Sequence, residues 1–260
     1  MKRLTLAALA CTTTLLGVTA CNDDNNHSPP GTGEVRLVNG IPDSGSITAS
    51  ATSGVSNTPG VEYGAGSSTV DVPIGSYNVQ LKNGTTTDPF FTVNNTQVDH
   101  NSLTVLWTSG SIAAGTGSGF PVEINLGSSS SGKFTFEFVN DTTQDATSSL
   151  NIYLVASGTA ITADTTPVAT VAAGKASAEA EVASGTYQIV VSASAAPTLP
   201  LYASPSTVTL APSGSNVVQI GAIDNNQSTT DCSPIALMIL DNGNNDADEN
   251  LVRNVCPAAP

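Results

Sequence analysis

Beyond Gly33 the chain alternates between short segments rich in β-branched and aromatic residues and clusters of Gly, Pro, Asn, Asp and Ser. The clearest apolar segments are 35–39, 70–72, 77–81 and 103–107. Runs of this length and composition are typical of β-strands, and their spacing is typical of a sandwich or barrel. No window after the first twenty residues has a convincing helical period. The pattern therefore predicts an all-β fold.

Segment 176–182 is a test of this interpretation, because its residues favour a helix. Alanine and glutamate dominate the segment, and their intrinsic propensities alone would predict a helix. Small apolar and polar residues nevertheless alternate with a period of two, which gives a strand one face that can be buried. We therefore predict a strand here.

The chain contains a weak internal repeat of three pieces in the same order. The aligned pieces are 36–39 with 137–140, 71–79 with 181–189, and 121–126 with 234–239. The repeat predicts two tandem β-sandwich modules at residues 34–131 and 132–256. The stretch between them, 127–132, has the composition of a flexible linker.

Both modules share a Gly-Ser/Thr-Tyr element, at Gly75 to Tyr77 and at Gly185 to Tyr187. Glycine permits a tight turn between strands, and the tyrosine can pack its ring while its hydroxyl reaches the backbone. We expect a structural role for both tyrosines. The alternative is that Tyr77 or Tyr187 binds a ligand.

The first module resembles the DUF4397 family. The resemblance lies in Val38-Asn39-Gly40-Ile41-Pro42-Asp43 and in Val72-Pro73-Ile74-Gly75-Ser76-Tyr77, whereas the second module departs from both stretches. Members of that family are secreted or lipid-anchored bacterial sandwich modules, often in tandem, with no established activity. The resemblance implies an immunoglobulin-like sandwich in each module and supplies no functional residues.

The first twenty residues predict a lipoprotein signal peptide. Lys2 and Arg3 precede a mostly apolar stretch, 4–18, which is too short to cross a membrane. Residues 18–21 resemble the bacterial lipobox, which predicts cleavage before Cys21 and attachment of lipid to its thiol. The alternative is an ordinary secretory signal with an incidental cysteine.

A flexible tether is predicted at 21–33, after the lipidated cysteine, because its Gly, Pro, Asn and Asp content disfavours a packed core. The lipid on Cys21 would hold the chain on a membrane, which we predict to be the bacterial outer membrane. Asn22 follows the cysteine and leaves the membrane face, periplasmic or external, undecided.

The net charge of the chain limits the classes of molecule that it can bind. The formal net charge is −14, and loss of Lys2 and Arg3 with the signal makes it more negative. Such a surface repels nucleic acid, so we predict no nucleic-acid partner.

In an oxidising compartment Cys232 and Cys256 are the pair left for a disulfide; the alternative is two free or metal-bound thiols.

No catalytic constellation stands out, and we predict no enzymatic activity and no cofactor. His100 follows Asp99 in a turn, but the chain has no Gly-x-Ser-x-Gly elbow that would present a nucleophile to such a pair. We therefore expect His100 to lie in a polar loop.

The acidic stretch 241–249 is the one candidate for a metal. Asp241, Asp246 and Asp248 supply oxygen ligands of the kind that calcium prefers, yet the spacing fails the EF-hand pattern. The alternative is a solvated acidic turn.

The function predicted from these features is that of a non-enzymatic, membrane-anchored cell-envelope lipoprotein serving as a spacer or interaction module. The alternative is a surface adhesin or glycan-binding module, with Phe90, Phe91 and Trp107 as its candidate rings. Trp107 alternates with Leu103 and Val105 on one face of a predicted strand, which is the arrangement of a core residue.

Overall fold

The computed structural model describes residues 31–51, 57–127, 129–143, 149–210, 217–225, 233–241 and 250–252. All regular elements among these residues are β-strands, which confirms the predicted all-β class. The first seven strands are β1 Thr32–Asn39, β2 Ile47–Ala51, β3 Val70–Pro73, β4 Gly75–Asn83, β5 Phe91–Val98, β6 Ser102–Ser109 and β7 Ser118–Asn125. The strands that follow are β8 Lys133–Asp141, β9 Leu150–Val155, β10 Ala169–Val171, β11 Lys175–Ala176, β12 Ala180–Ala183, β13 Gly185–Ala193, β14 Pro200–Ala203, β15 Val208–Leu210, β16 Val217–Asp224, β17 Ile235–Asp241 and β18 Asn250–Val252.

Strands β1 to β7 form two sheets that face one another, which we call the N-terminal sandwich. One sheet has the order β3-β1-β6-β7 and the other the order β2-β4-β5. Apolar side chains from both sheets meet in one core, with Leu37, Ile47, Leu81 and Leu106 all fully buried. Alternation along each strand sends every second side chain into this core.

Strands β8 to β18 form a second pair of facing sheets, the C-terminal sandwich. The order is β11-β8-β16-β17-β18 in one sheet, with β12 also paired to β8. The other sheet has the order β10-β9-β13-β14, with β15 also paired to β13. Their core is built around Phe134, Phe136 and Phe138 of β8, all fully buried.

A third apolar core joins the two sandwiches. Val38, Leu103, Val105 and Trp107 of the N-terminal sandwich pack in one cluster with side chains of β8, β16 and β17. The four sheets are therefore layered, and the two inner sheets are covered on both faces. Every residue of β6 and of β16 is buried as a result.

The repeat seen in the sequence is present in the strand pairing. Strand β1 runs parallel to β6, and β8 runs parallel to β16, whereas every other pair of described strands is antiparallel. Val72 lies opposite Gly33 and Val182 lies opposite Phe134, in agreement with the aligned pieces.

The third aligned piece is out of register. Val38 pairs with Trp107 and Val139 pairs with Gly221, so Trp107 and Gly221 occupy equivalent positions. Their partners on the next strands are Phe120 and Met238. The alignment of 121–126 with 234–239 fails because β17 is buried on both faces, and without alternation the sequence does not fix its register.

Segment 176–182 is extended, as its alternation predicts, but it is interrupted. β11 and β12 both pair with β8, and residues 177–179 lie between them outside the strands. The Ser177 hydroxyl accepts a hydrogen bond from the backbone N–H of Phe138 at 3.0 Å, which replaces a rung of the ladder. Tertiary pairing with β8 overrides the helical propensity of the alanines.

The Gly-Ser/Thr-Tyr element has the predicted structural role in both sandwiches. The Tyr77 hydroxyl donates to the carbonyl of Pro73, and the Tyr187 hydroxyl donates to that of Ala183, each at 2.7 Å. Gly75 has a φ of +158°, and its α-carbon lies beneath the Tyr77 ring. Each tyrosine therefore ties the end of one strand to the start of the next.

Candidate functional site at the junction of the two sandwiches

Several predicted site residues lie outside the described part of the chain. They are Cys21, Cys232, Cys256, Asp246 and Asp248. Asp241, the first residue of the predicted calcium stretch, ends β17 and is half-buried. Lipidation, the disulfide and calcium binding therefore stay predictions. Within the described ranges no group of three or more His, Cys, Asp or Glu side chains is placed to hold a metal ion.

His100 lies in an exposed turn between β5 and β6. Its Nδ1 is 3.4 Å from the carbonyl oxygen of Thr32. The neighbouring Ser102 hydroxyl donates to the backbone carbonyl of Asp99 at 2.9 Å and so is engaged with the turn. The geometry is that of a polar loop, as the sequence predicts.

The aromatic rings proposed for glycan binding are not on an open platform. Trp107 is fully buried, in agreement with its predicted place in a core. Phe90 and Phe91 are half-buried and pack against the core of the N-terminal sandwich. These rings therefore serve packing first.

The Asn-Gly-Ile-Pro-Asp stretch, which carries part of the family resemblance, organises loops. The Asn39 amide donates to the carbonyl of Val61 at 2.9 Å, and its oxygen accepts from the N–H of Ile41 at 3.0 Å. The Asp43 carboxylate accepts from the Ser111 hydroxyl at 2.6 Å. Burial alone would raise the pKa of Asp43, but the bond from Ser111 and two backbone N–H donors outweigh burial and lower that pKa.

The junction is centred on Trp107, whose ring lies directly on the backbone of Gly221. A β-carbon at Gly221 would be 2.1 Å from Cη2 and Cζ3 of the indole. No other residue type leaves room for the ring at this position. The six-membered ring of the indole therefore fits against β16 only because Gly221 has no side chain.

A chain of hydrogen bonds crosses the junction from the same indole. Trp107 Nε1 donates to the Gln219 Oε1 at 3.2 Å, and Gln219 Nε2 donates to the Glu137 Oε2 at 2.8 Å. Glu137 is only 4% exposed. Burial raises the pKa of Glu137 to about 7; the bond from Gln219 opposes this rise and the charge of Glu179 adds to it. A buried carboxylate of this kind is costly unless it is paired.

A second pair of equivalent positions also meets across the junction. The repeat places Gly40 over Asp141, and the missing β-carbon of Gly40 would be 2.9 Å from Asp141 Oδ2. At both meeting points one sandwich has glycine and the other a larger side chain. The contact is therefore arranged like the isologous interface of a dimer, in which the same surface of each partner meets the other.

Asp141 is fully buried at the junction, where no described residue donates to either carboxylate oxygen with good geometry. Burial raises the pKa of Asp141 well above its ordinary value; the nearby Ser109 hydroxyl opposes this and the charge of Asp224 adds to it. Asp224 itself accepts bonds from the backbone N–H and the hydroxyl of Thr143. The environment therefore favours the protonated form of Asp141.

Further hydrogen bonds connect the sandwiches at the edges of the junction. The Tyr63 hydroxyl donates to the backbone carbonyl of Asp224 at 2.8 Å. The backbone N–H of Asn125, at the end of β7, donates to the Glu179 carboxylate at 3.0 Å. Polar links at the rim therefore flank the apolar centre, as in protein interfaces generally.

An open cleft of about 370 Å³ runs along the edge of the junction. Its walls are residues 120–123 of β7 on one side and residues 174–176, which include β11, on the other. Glu137 reaches the cleft from β8, and Glu123 and Lys175 lie at its exposed rim. Burial, followed by the charge of Asp99, raises the pKa of Glu123. The cleft exists only where the two sandwiches are packed together.

The sequence pattern does not predict the junction or its polar residues. The available signal was Glu137 within the apolar run 134–139 and Gln219 within the apolar run 217–223. Thr135 and Glu137 alternate with phenylalanines, which predicts an outer, solvent-facing position for Glu137. Gln219 lies opposite Glu137 on β16 and shares that face, although its own run shows no alternation. Packing of the second sandwich on that face buries them.

Comparisons with known proteins add no family. No family model matches the sequence, and no curated protein matches it. Among solved structures the chain is similar to a leucine-rich repeat protein from Bacteroides thetaiotaomicron VPI-5482, with 13% identity and a TM-score of 0.23. The match covers 73% of this chain and 26% of that one, so the chain spans about a quarter of that protein. No helix in the described residues is long and apolar enough to span a membrane.

Replacing Gly221 with alanine should loosen the junction. The new methyl group would occupy the position of the Trp107 ring, and overpacking of this kind costs about 1–3 kcal/mol or more. Trp107 is the sole tryptophan, so urea unfolding followed by its emission measures the effect directly. We expect a lower midpoint and a red-shifted native emission maximum.

The matched control for this substitution is Gly127→Ala, because a β-carbon there meets nothing within 4 Å. It should leave both the midpoint and the emission unchanged. Combining Gly221→Ala with Trp107→Leu should cost less than the sum of the two single changes, since the smaller side chain removes the clash. Additive costs would show that the two residues are not in contact.

Protonation of Glu137 should make the protein more stable at mildly acidic pH. The pKa of Glu137 is about 7 in the folded protein and 4.5 for an unperturbed glutamate, so the folded state binds more protons between these values. The free energy of unfolding should therefore fall as pH rises from about 4.5 to 7, by about 3 kcal/mol for this group. Urea unfolding at several pH values measures the slope.

Glu137→Gln should flatten this part of the profile, because an amide can still accept the bond from Gln219 and does not titrate. Glu181→Gln is the control: hydrogen bonds from Ser130 and Lys133 lower the pKa of this exposed carboxylate to about 2, so it titrates outside the range. A profile for Glu137→Gln that keeps the wild-type slope would assign the pH dependence to other groups.

Proposed function

We propose that the protein is a non-enzymatic cell-envelope lipoprotein that acts as a stiff spacer and interaction module. In this proposal lipid on Cys21 holds the chain on a bacterial membrane, which we place at the outer membrane. The residues between Cys21 and β1, which begins at Thr32, tether two immunoglobulin-like sandwiches to it, and these present a fixed surface to an envelope protein or a glycan.

The observation that supports stiffness most directly is the shared core at the junction. Two sandwiches joined only by a flexible linker would move independently, because a short polar linker costs little to bend. Here Trp107 lies on Gly221, and both inner sheets lose their exposed faces to each other. Separation would expose the apolar side chains of β6 and β17 to water, which the hydrophobic effect opposes.

The connection between the sandwiches is held as well. The backbone N–H and the hydroxyl of Ser130 both donate to Glu181 Oε1, at 3.0 and 2.7 Å. Lys133 forms an ion pair with the same carboxylate at 3.2 Å. Exposed contacts of this type contribute little energy, but they fix the path of a stretch whose composition alone indicates flexibility.

The alternative of an adhesin or glycan-binding module has weaker support. Sugar platforms need flat aromatic faces on the surface, and Trp107 is buried while Phe90 and Phe91 pack inward. The spacer proposal requires no exposed ring and is therefore preferred.

Stiffness is tested by the distance between one spin label on each sandwich. Asp88 and Ser157 are exposed, one in each sandwich, and each can be replaced by a ketone-bearing residue that accepts a label without involving the native cysteines. We expect one narrow distance distribution, which Gly221→Leu should broaden and Gly127→Ala should leave narrow. A wild-type distribution as broad as that of Gly221→Leu would refute the stiff spacer.

Anchorage is tested by labelling growing bacteria with radioactive palmitate. The wild-type chain should incorporate the label and sediment with membranes, whereas Cys21→Ala should do neither. Protease treatment of intact cells, with a periplasmic protein as control, then assigns the membrane face. A chain that is exported and cleaved but never labelled would instead carry an ordinary secretory signal.

A further inference from the structure

The cleft at the edge of the junction has the features of a small-molecule site. Its volume of about 370 Å³ lies within the range of ligand pockets. Phe120 and Val122 contribute apolar lining, and three charged residues, Glu123, Glu137 and Lys175, contribute to its polar part.

Glu137 is the group that defines what the cleft would recognise. Its carboxylate is 96% buried and receives one hydrogen bond, from the neutral amide of Gln219. Within the described part of the chain no lysine, arginine or histidine forms an ion pair with it. Burying a carboxylate without a cation is unfavourable, so a cation supplied by a ligand would relieve the cost.

The surroundings of the cleft favour a cation over an anion. Glu179 is close enough for its negative charge to influence Glu137, whereas the carboxylate of Glu123, a residue of the rim, is held toward Asp99 and Ser102. The whole chain carries a formal charge of −14, which raises the local concentration of cations and excludes anions. Among the described residues that line the cleft, Lys175 carries the one positive charge, and it lies on the exposed side.

From these observations we propose that the inter-sandwich cleft binds a small organic amine, whose ammonium group pairs with Glu137 and whose carbon chain lies along Phe120 and Val122. This site goes beyond the proposed spacer function: it requires the closed junction, whereas a stiff spacer requires no ligand in the cleft. An ammonium group donates up to three hydrogen bonds, and one to a buried carboxylate is of the strong, charge-assisted kind.

The experiment compares two ligands of the same shape, 1,4-diaminobutane and 1,4-butanediol, by titration calorimetry on the purified full chain. Trp107 emission is followed in parallel, because the indole is connected to Glu137 through Gln219. We expect saturable binding of the diamine with a change in emission, and no binding of the diol. Equal binding of both ligands would overturn the proposal, because recognition would then not depend on the ammonium charge.

Two variants, Glu137→Gln and Lys175→Glu, and a control, Glu181→Gln, keep the test independent of folding. Glu137→Gln should weaken diamine binding by at least about tenfold, as expected for loss of a charge-assisted bond. Lys175→Glu changes only the exposed rim and should strengthen it several-fold. Glu181→Gln, on the exposed linker contact, should have no effect. Diamine binding that is unchanged in both Glu137→Gln and Lys175→Glu would place the diamine elsewhere on the acidic surface and overturn the proposal. Displacement of the bound diamine by calcium chloride at an equal concentration would also overturn it.

Discussion

The contact of the Trp107 ring with the bare backbone of Gly221 is the constraint from which the rest of the arrangement follows. The contact brings two sheets face to face, so the strands between them must be apolar on both sides. Polar side chains in those strands are then buried, and Gln219 has partners on both sides of the junction. Gln219 accepts from the indole and donates to Glu137, which fixes the orientation of its amide. One aromatic ring thus determines both the packing and the polar order of the junction.

The internal repeat explains why such a contact could arise. When two copies of one module pack through the same face, positions near the symmetry axis meet their own equivalents, and in a dimer of identical chains those residues must fit against themselves. A tandem chain is free of that restriction. Trp107 faces Gly221, and Asp141 faces Gly40, so each large side chain meets its glycine equivalent. The two modules have diverged into complementary partners at these positions.

Sequence patterns predicted what depends on local periodicity and missed what depends on association. The strands and the two tyrosine elements were predictable because alternation and glycine placement are local properties. The register of β17 was not, because a strand buried on both faces loses its alternation. Glu137 shows the limit for the site: its spacing predicts a solvent-facing side chain, and only the presence of a second sandwich on that face makes it a buried carboxylate at the floor of a cleft.

Stiffness and the cleft are linked through the same packing. Walls of the cleft come from β7 of one sandwich and β11 of the other, so the cleft is complete only while the junction is closed. A ligand that binds the closed form and not the open one stabilises it by RT ln(1 + [L]/Kd), whatever the chemistry of the ligand. By the same relation, a variant that opens the junction must lower the apparent affinity of the cleft in proportion to the closed fraction. Glu137 belongs to both properties, because it ends the hydrogen-bond chain from Trp107 and also faces the cleft. A buried carboxylate at such a position costs stability that an apolar residue would not; protonation offsets that cost at mildly acidic pH, and in the proposed site a bound cation would offset it at higher pH.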